Sequence, residues 1–244
     1  MNAFGVTDIG VTRLHNEDSI FVCVKPIGCL PNLFIVSDGM GGHNAGEVAS
    51  SKAIEFFCEY VSQGGRTQGK VLEVIVEGVR YANKKVYDLS RQDYTLRGMG
   101  ATFTACVTTG GKLNIAHIGD SRVYFAANGR LSQLTEDHSY VNELVKMGEI
   151  TEEEAQHHPQ KNILTRALGV EDDEAVDGLA YDANEDGVAL LCSDGLTNML
   201  SNIQILQILS EPGSLEDRGR KLIQMANNYG GLDNISAILV DVKR

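Results

Sequence analysis

Basic residues are scarce in this chain: Lys and Arg number 21 against 33 Asp and Glu, a net charge of −12 over 244 residues. A nucleic-acid binder needs a basic stripe to meet phosphates, so this balance argues against one, and equally against adsorption to an anionic membrane. Long apolar runs are missing too. No stretch reaches the roughly 20 residues of a membrane-spanning helix. The N-terminus, Met1-Asn-Ala-Phe-Gly-Val-Thr-Asp8, has neither the charged start nor the apolar core of a secretion signal. The cysteines, Cys23, Cys29, Cys58, Cys106 and Cys192, are odd in number, contain no Cys-x-x-Cys and mostly sit in apolar runs. Such a set argues against a disulfide framework or a zinc site and for a reducing compartment. Linkers, fixed-period repeats and low-complexity tracts are absent as well. The expectation is one domain, 1–244, cytoplasmic and monomeric, burying roughly 70–75% of its unfolded surface without a staple.

Strand-like runs occupy 19–24, 33–37, 101–108, 113–118, 122–126, 188–192 and 236–242. Ala101, Phe103, Ala105 and Val107 alternate with Thr102, Thr104, Cys106 and Thr108, as a half-buried strand requires. Gly110-Gly111 and Asn128-Gly129 suit hairpin turns, so 101–134 reads as an antiparallel meander. Helical spacing marks 45–60, with Asn44 as a possible cap, then 70–91 and 214–229. A polar, helical excursion at 140–168 carries Glu152-Glu-Glu154 and His157-His158-Pro159. The order lacks the regular alternation of a doubly wound sheet, which favours an α+β layered sandwich.

Two near-motifs fall short. Gly64 to Val71 almost spells a P-loop, but Val71 stands where Ser or Thr should hold Mg²⁺, and the segment follows a helix, so it reads as a helix–helix loop. Asp182-Ala-Asn-Glu-Asp186-Gly187 begins like a calcium loop, but position twelve is Ser193 rather than Glu, so a hairpin-like turn is expected.

What the chain does have is carboxylates at the ends of apolar runs. Phe34-Ile-Val-Ser-Asp38-Gly39 and Ala189-Leu-Leu-Cys-Ser-Asp194-Gly195 each end a buried-strand pattern in an acid and a glycine that permits a sharp turn. Asp233-Asn234 precedes the last strand, Glu17-Asp18 lies in Arg13-Leu-His-Asn-Glu-Asp18, and Asp120 lies in Gly119-Asp-Ser-Arg122. Alone, each is ordinarily a turn, a cap or a solvated face. Together they place six carboxylates where rigid strands can bring them into one cluster. Converged carboxylates repel one another unless cations sit between them, and hard divalent ions suit an all-oxygen donor set.

In order along the chain stand Arg13-x-x-Asn16-Glu17-Asp18, Val36-Ser-Asp38-Gly39-Met-Gly-Gly-His43, Gly98-Met-Gly-Ala-Thr102, Gly119-Asp120-Ser-Arg122, Ser193-Asp194-Gly195 and Asp233-Asn234-Ile-Ser236. This series resembles the metal-dependent serine/threonine protein phosphatases of type 2C, in their compact bacterial form, from Thr7 to Val242. The resemblance implies a four-layer α/β/β/α sandwich, two antiparallel sheets flanked by helices, with 140–168 as a flap beside the active site. It implies that Asp38 bridges two metal ions, that the Gly39 carbonyl ligates one, and that Asp194 and Asp233 complete the direct ligands. Glu17 and Asp18 would hold metal-bound waters, Asn234 would hydrogen-bond waters of the cluster, and Asp120 with Asp194 would form a third, weaker site. Arg13 would bind the substrate phosphate; without the motif it is equally a structural salt bridge. His43 is either a general acid or a helix cap. His15 has no evident role, and His138, His157 and His158 are expected on the surface.

The implied reaction is hydrolysis of phosphoserine or phosphothreonine in proteins by a hydroxide bridging two Mn²⁺ or Mg²⁺ ions, without a phosphoenzyme. No Cys-x₅-Arg loop of a cysteine phosphatase is present. The implied partners are phosphorylated proteins, including a Ser/Thr protein kinase and its targets, in bacterial signal transduction. The alternatives are a catalytically silent binding module of the same fold, which would ordinarily lack a metal aspartate, and a plain metal-binding structural domain, which would not need Arg13 beside Glu17-Asp18.

Overall fold

The computed structural model describes residues 1–42, 45–64 and 70–244. His43, the possible cap Asn44 and most of the near-P-loop segment lie outside the described residues. The chain runs β1 (Ala3–Asp8), β2 (Asp18–Cys23), β3 (Leu33–Met40), α1 (Ala45–Ser62), α2 (Val71–Gln92), a 3₁₀ turn (Tyr94–Leu96), β4 (Gly100–Ala101), β5 (Phe103–Thr109), β6 (Lys112–Ile118), β7 (Arg122–Ala127) and β8 (Arg130–Gln133). It continues through α3 (Tyr140–Met147), α4 (Glu152–His157), β9 (Asp177–Asp182), β10 (Gly187–Cys192), α5 (Asp194–Thr197), α6 (Asn202–Leu209), α7 (Leu215–Asn228) and β11 (Ile235–Val242).

Two antiparallel sheets form, one in the order β1-β11-β10-β7-β8, the other β2-β3-β5-β6-β9 with β4 beside β3. Successive side chains of a strand point to opposite faces, and that rule builds the layers. On β3, Leu33 and Ile35 pack under α1 and α2, while Phe34 and Val36 meet the other sheet. On β11, Ala237 and Leu239 pack under α5, α6 and α7, while Ile238 and Val240 face between the sheets. Both faces of the central strands are covered, which is why they read as continuous apolar runs rather than alternating ones. The result is the expected α/β/β/α sandwich.

Local signals explain the helices. Ser214 accepts from the backbone N–H of Asp217 and starts α7, and Ser201 does the same for α6 with Gln204. Gly78 of α2 leaves the room that the Phe57 ring of α1 occupies: a Cβ there would lie 2.7 Å from Phe57 Cε2.

Two expectations change. Residues 101–134 are not one meander: the β5–β6 and β7–β8 hairpins belong to different sheets, and the chain crosses between them at Gly119-Asp120-Ser121. The hairpin turns themselves are as expected, with Gly110, Gly111, Asn128 and Gly129 at positive φ. Residues 183–186 likewise form no hairpin, because β9 pairs with β6 and β10 with β7 and β11 in the opposite sheet. The excursion at 140–168 is helical only at α3 and α4 and returns to the body where Ser139 bridges Leu164 and Ala101 bridges Leu168.

Candidate metal centre

The same parity rule that fills the space between the sheets with Phe34, Val36 and Ile20 continues to Asp38 and Asp18 at one end of that layer. Asp18 and Asp38 are register partners across β2 and β3. From the other sheet, β10 delivers Ser193 and Asp194, and β11 begins just after Asp233-Asn234. Asp120 stands on the crossing between sheets, and Arg13 on the loop between β1 and β2. The expected acidic residues therefore do converge, from both sheets, at one end of the inter-sheet layer.

Asp18 forms the floor. It is 6% exposed, and its Oδ2 accepts from Ser193 Oγ at 2.7 Å and Ser236 Oγ at 2.6 Å. Asp194 Oδ2 accepts from Asn198 Nδ2 at 2.9 Å. The second oxygens, Asp18 Oδ1 and Asp194 Oδ1, are buried with no partner. An orphaned buried carboxylate oxygen is costly unless something cationic meets it.

Electrostatics say the same. Burial, then the charges of Asp18, Asp194, Asp120 and Asp233, hold the Asp38 carboxyl well above the usual range. Burial, then Asp194 and Asp137, does so for Asp120. Burial pushes Asp18 up to about 7 against the pull of the two serine hydroxyls, and burial with Asp233 raises Asp194. Glu17 is raised by burial, with Arg13 opposing. Asp38, Asp194 and Asp120 each keep an edge open to solvent, so the cluster is a cleft rather than a sealed cavity.

Divalent cations fit this all-oxygen, mutually repelling set. Among the described residues no three His, Cys, Asp or Glu side chains close a cage on a single point. Mg²⁺ and ions like it keep several waters and take only one or two carboxylates each, so a cleft of spread carboxylates matches their habit.

The two Asp-Gly pairs are not turns. Gly39 stays within β3, where a Cβ would lie 2.0 Å from the Gly46 carbonyl oxygen and 2.7 Å from that of Glu17. Gly195 is the second residue of α5, with its Cβ position 2.0 Å from the Asn234 carbonyl oxygen. Both glycines let a neighbouring backbone press against the carboxylate-bearing strand end.

Arg13 donates from Nη2 to Asp233 Oδ2 at 2.8 Å, with 48% of its side chain exposed. Burial pulls this guanidinium down, and Asp233, Glu17 and Asp38 more than offset that. Asn234 is a brace rather than an open donor: Oδ1 accepts from the Glu17 N–H at 2.8 Å, and Nδ2 donates to the carbonyls of Ile9 and His15, each at 2.9 Å. His15 is exposed. His138, expected on the surface, is 2% exposed and lies beside the Gly119-Asp120 crossing. Ser193, Ser236, Asn198, Thr102 and Ser121 were not anticipated as supports. The signal for Ser193 and Ser236 was their strand parity, which places polar groups on an otherwise apolar inter-sheet face.

A family model described as Protein phosphatase 2C matches residues 11–240. The chain belongs to the protein phosphatase 2C family. The serine/threonine phosphatase stp of Listeria welshimeri is 40% identical over 243 residues, 99% of this chain and 96% of that protein. A bacterial serine phosphatase crystal structure superposes with TM-score 0.93 at 33% identity, covering 100% of this chain and 98% of the other. The catalytic domain of the serine threonine protein phosphatase PstP, crystallised with 2 manganese ions, gives TM-score 0.84 at 33% identity over 100% of this chain and 98% of that one. As a member of the family, this chain has the fold of these phosphatases.

Proposed function

We propose that this chain is an active, metal-dependent protein serine/threonine phosphatase whose catalytic domain spans 1–244, with 140–168 as its flap. One observation carries the reading: buried carboxylates with orphaned oxygens at Asp18 and Asp194 share a cluster with Asp233, which holds a half-exposed guanidinium, Arg13. Asp38, the Gly39 carbonyl, Asp194 and Asp233 would hold two Mn²⁺ or Mg²⁺ ions, with Glu17 and Asp18 holding their waters and Asp120 with Asp194 taking a third. Bound there, such ions supply Lewis acidity to phosphoryl oxygens and lower the pKa of water.

The chain's own groups do the rest. Arg13 leaves Asp233 and turns its fork to the phosphoryl oxygens, a match of planar donors to tetrahedral acceptors that Lys cannot reproduce. Asp18, held by two hydroxyls, fixes the floor, and Asn234 fixes the loop that carries Arg13 and Glu17. The silent-module alternative is disfavoured by the presence of Asp38, Asp194 and Asp233 together. Phosphorylated proteins are the substrate class, among them a Ser/Thr kinase and its targets, for a monomer in the cytoplasm; the free cysteines accord with that compartment, and no helix among the described residues is long and apolar enough to cross a membrane. Phosphate release from a phosphothreonine protein, abolished by EDTA and restored by Mn²⁺, tests the reading. Metal-independent release would overturn it.

A further inference from the structure

We propose that His138 and Asp177 are positioning residues for the metal centre, acting through the crossing that carries Asp120. The inference rests on the metal-dependent reading above.

His138 grips Gly119 from both sides. Its backbone N–H donates to the Gly119 carbonyl at 2.8 Å, and the Gly119 N–H donates to its Nδ1 at 3.1 Å. An Nδ1 that accepts carries no proton, so the proton sits on Nε2, which donates to Asp177 Oδ2 at 3.1 Å. The His138–Asp177 contact is thus a hydrogen bond from a neutral ring and not an ion pair, and Asp177 selects the tautomer that Gly119 needs. Arg166 Nη1 in turn donates to Asp177 Oδ1 at 2.9 Å, and the Thr165 N–H donates to the His138 carbonyl at 2.9 Å. Both residues belong to the end of the 140–168 excursion. The neighbouring His117 ring packs on His138 with centroids 4.8 Å apart, which blocks a swing of the imidazole.

From Gly119 the chain of contacts reaches the carboxylates. Asp120 is the next residue. Ser121 Oγ and Thr102 Oγ1 share a hydrogen bond at 2.8 Å, and Thr102 Oγ1 accepts from the Asp38 N–H at 2.9 Å. The Thr102 N–H donates to the Asp38 carbonyl at 2.8 Å. Gly119 itself has φ +108°, with its Cβ position 2.6 Å from Thr102 Cβ, so only glycine fits at this point of the crossing. A buried imidazole fixed by a carboxylate thereby sets the backbone from which Asp120 and, through Thr102, Asp38 are presented.

The test is Mn²⁺ binding to EDTA-stripped protein by titration calorimetry, together with melting of the metal-free forms. Asn places its amide oxygen near the Nδ1 position, whereas Gln reaches toward Nε2. His138→Asn therefore keeps the acceptor for Gly119 and is expected to bind Mn²⁺ within about 2-fold of wild type, while His138→Gln weakens binding by about 10-fold, as loss of an outer support does. Asp177→Ala is expected to fold with a metal-free melting temperature a few degrees lower, since it leaves the His138 Nε2–H unpaired, and to weaken Mn²⁺ binding several-fold. It carries the test alone if the Gln variant does not fold. Wild-type Mn²⁺ affinity in His138→Gln or in Asp177→Ala would overturn the proposal. Failure of wild type to bind Mn²⁺ would instead overturn the metal-dependent reading.

Discussion

Arg13 reaches across 220 positions of sequence to donate to Asp233 Oδ2 at 2.8 Å. The proposed phosphate clamp is therefore parked on a proposed metal ligand. Metal at Asp233 and phosphate at Arg13 would each weaken that pair, so filling one site should favour filling the other.

Removing the clamp tests this. Arg13→Ala should lower kcat/KM for a phosphothreonine peptide by about 10–100-fold, the range for a charged hydrogen-bonding group. Most of the loss should appear as KM, because Arg13 meets the phosphate before reaction begins. Arg13→Lys should recover little of it. Steady-state kinetics at saturating Mn²⁺ decides.

Asp38→Asn should separate stability from function. The carboxylate stands among Asp18, Asp194, Asp120 and Asp233, so neutralising it relieves repulsion. Without metal, the variant should be more stable than wild type by about 0.5–2 kcal/mol. With Mn²⁺ the order should reverse, because only wild type is stabilised by binding. Thermal melts with EDTA and with Mn²⁺ check both halves.

A layered α+β sandwich was legible in the order of strand-like and helical runs, while its four-layer form followed from the family resemblance. β5, whose alternation with Thr reads as half-buried, is buried on both faces. The division of 101–134 between two sheets was not legible, since Gly119-Asp120-Ser121 has the composition of a hairpin turn and only its partners across the sandwich distinguish a crossing. Strand β9 was missed because it lies at a sheet edge, where the alternation of half-buried Leu179 and Tyr181 with exposed Ala180 and Asp182 is only two apolar positions long. The short α6 was missed although Ser201 and Gln204 carry a capping-box pattern that could have marked it. Among the site residues, the acids were visible through their motifs. Ser193 and Ser236 were marked only by strand parity, and His138 acts through hydrogen bonds to Gly119 and Asp177, far off in sequence, which nothing local announces.

Asp18 supplies a pH signature. Burial holds its folded pKa at about 7, above the ordinary aspartate value of 3.8. Its carboxyl therefore contributes most to metal-free stability at low pH, and that contribution is lost as pH rises from about 4 to 7. His117 works the other way, since burial lowers it to about 3 and stability falls as pH drops below the ordinary histidine range. Comparing wild type with Asp18→Asn cancels the histidine. The stability of wild type relative to the variant should fall steadily between pH 4 and 7 in EDTA, as read by urea melts at fixed temperature; a flat difference would refute the assignment.

Gly39→Ala should damage the site through the backbone. The new methyl meets the Gly46 carbonyl oxygen at 2.0 Å, and backbone cannot swing aside as a side chain can. The expected loss is at least the ~1–3 kcal/mol of an overpacked interior, with weaker Mn²⁺ binding because Asp38 moves with it. Denaturant melts and calorimetry report the two effects.

The most direct measurement is phosphate release from a phosphothreonine protein by wild type and by Asp38→Asn, each with EDTA and with Mn²⁺. The account predicts turnover only in wild type with Mn²⁺, and a fall of at least about 100-fold in the variant, since loss of a ligand should exceed loss of an outer support. Turnover that survives EDTA, or a folded, Mn²⁺-loaded wild type that releases no phosphate, would contradict it.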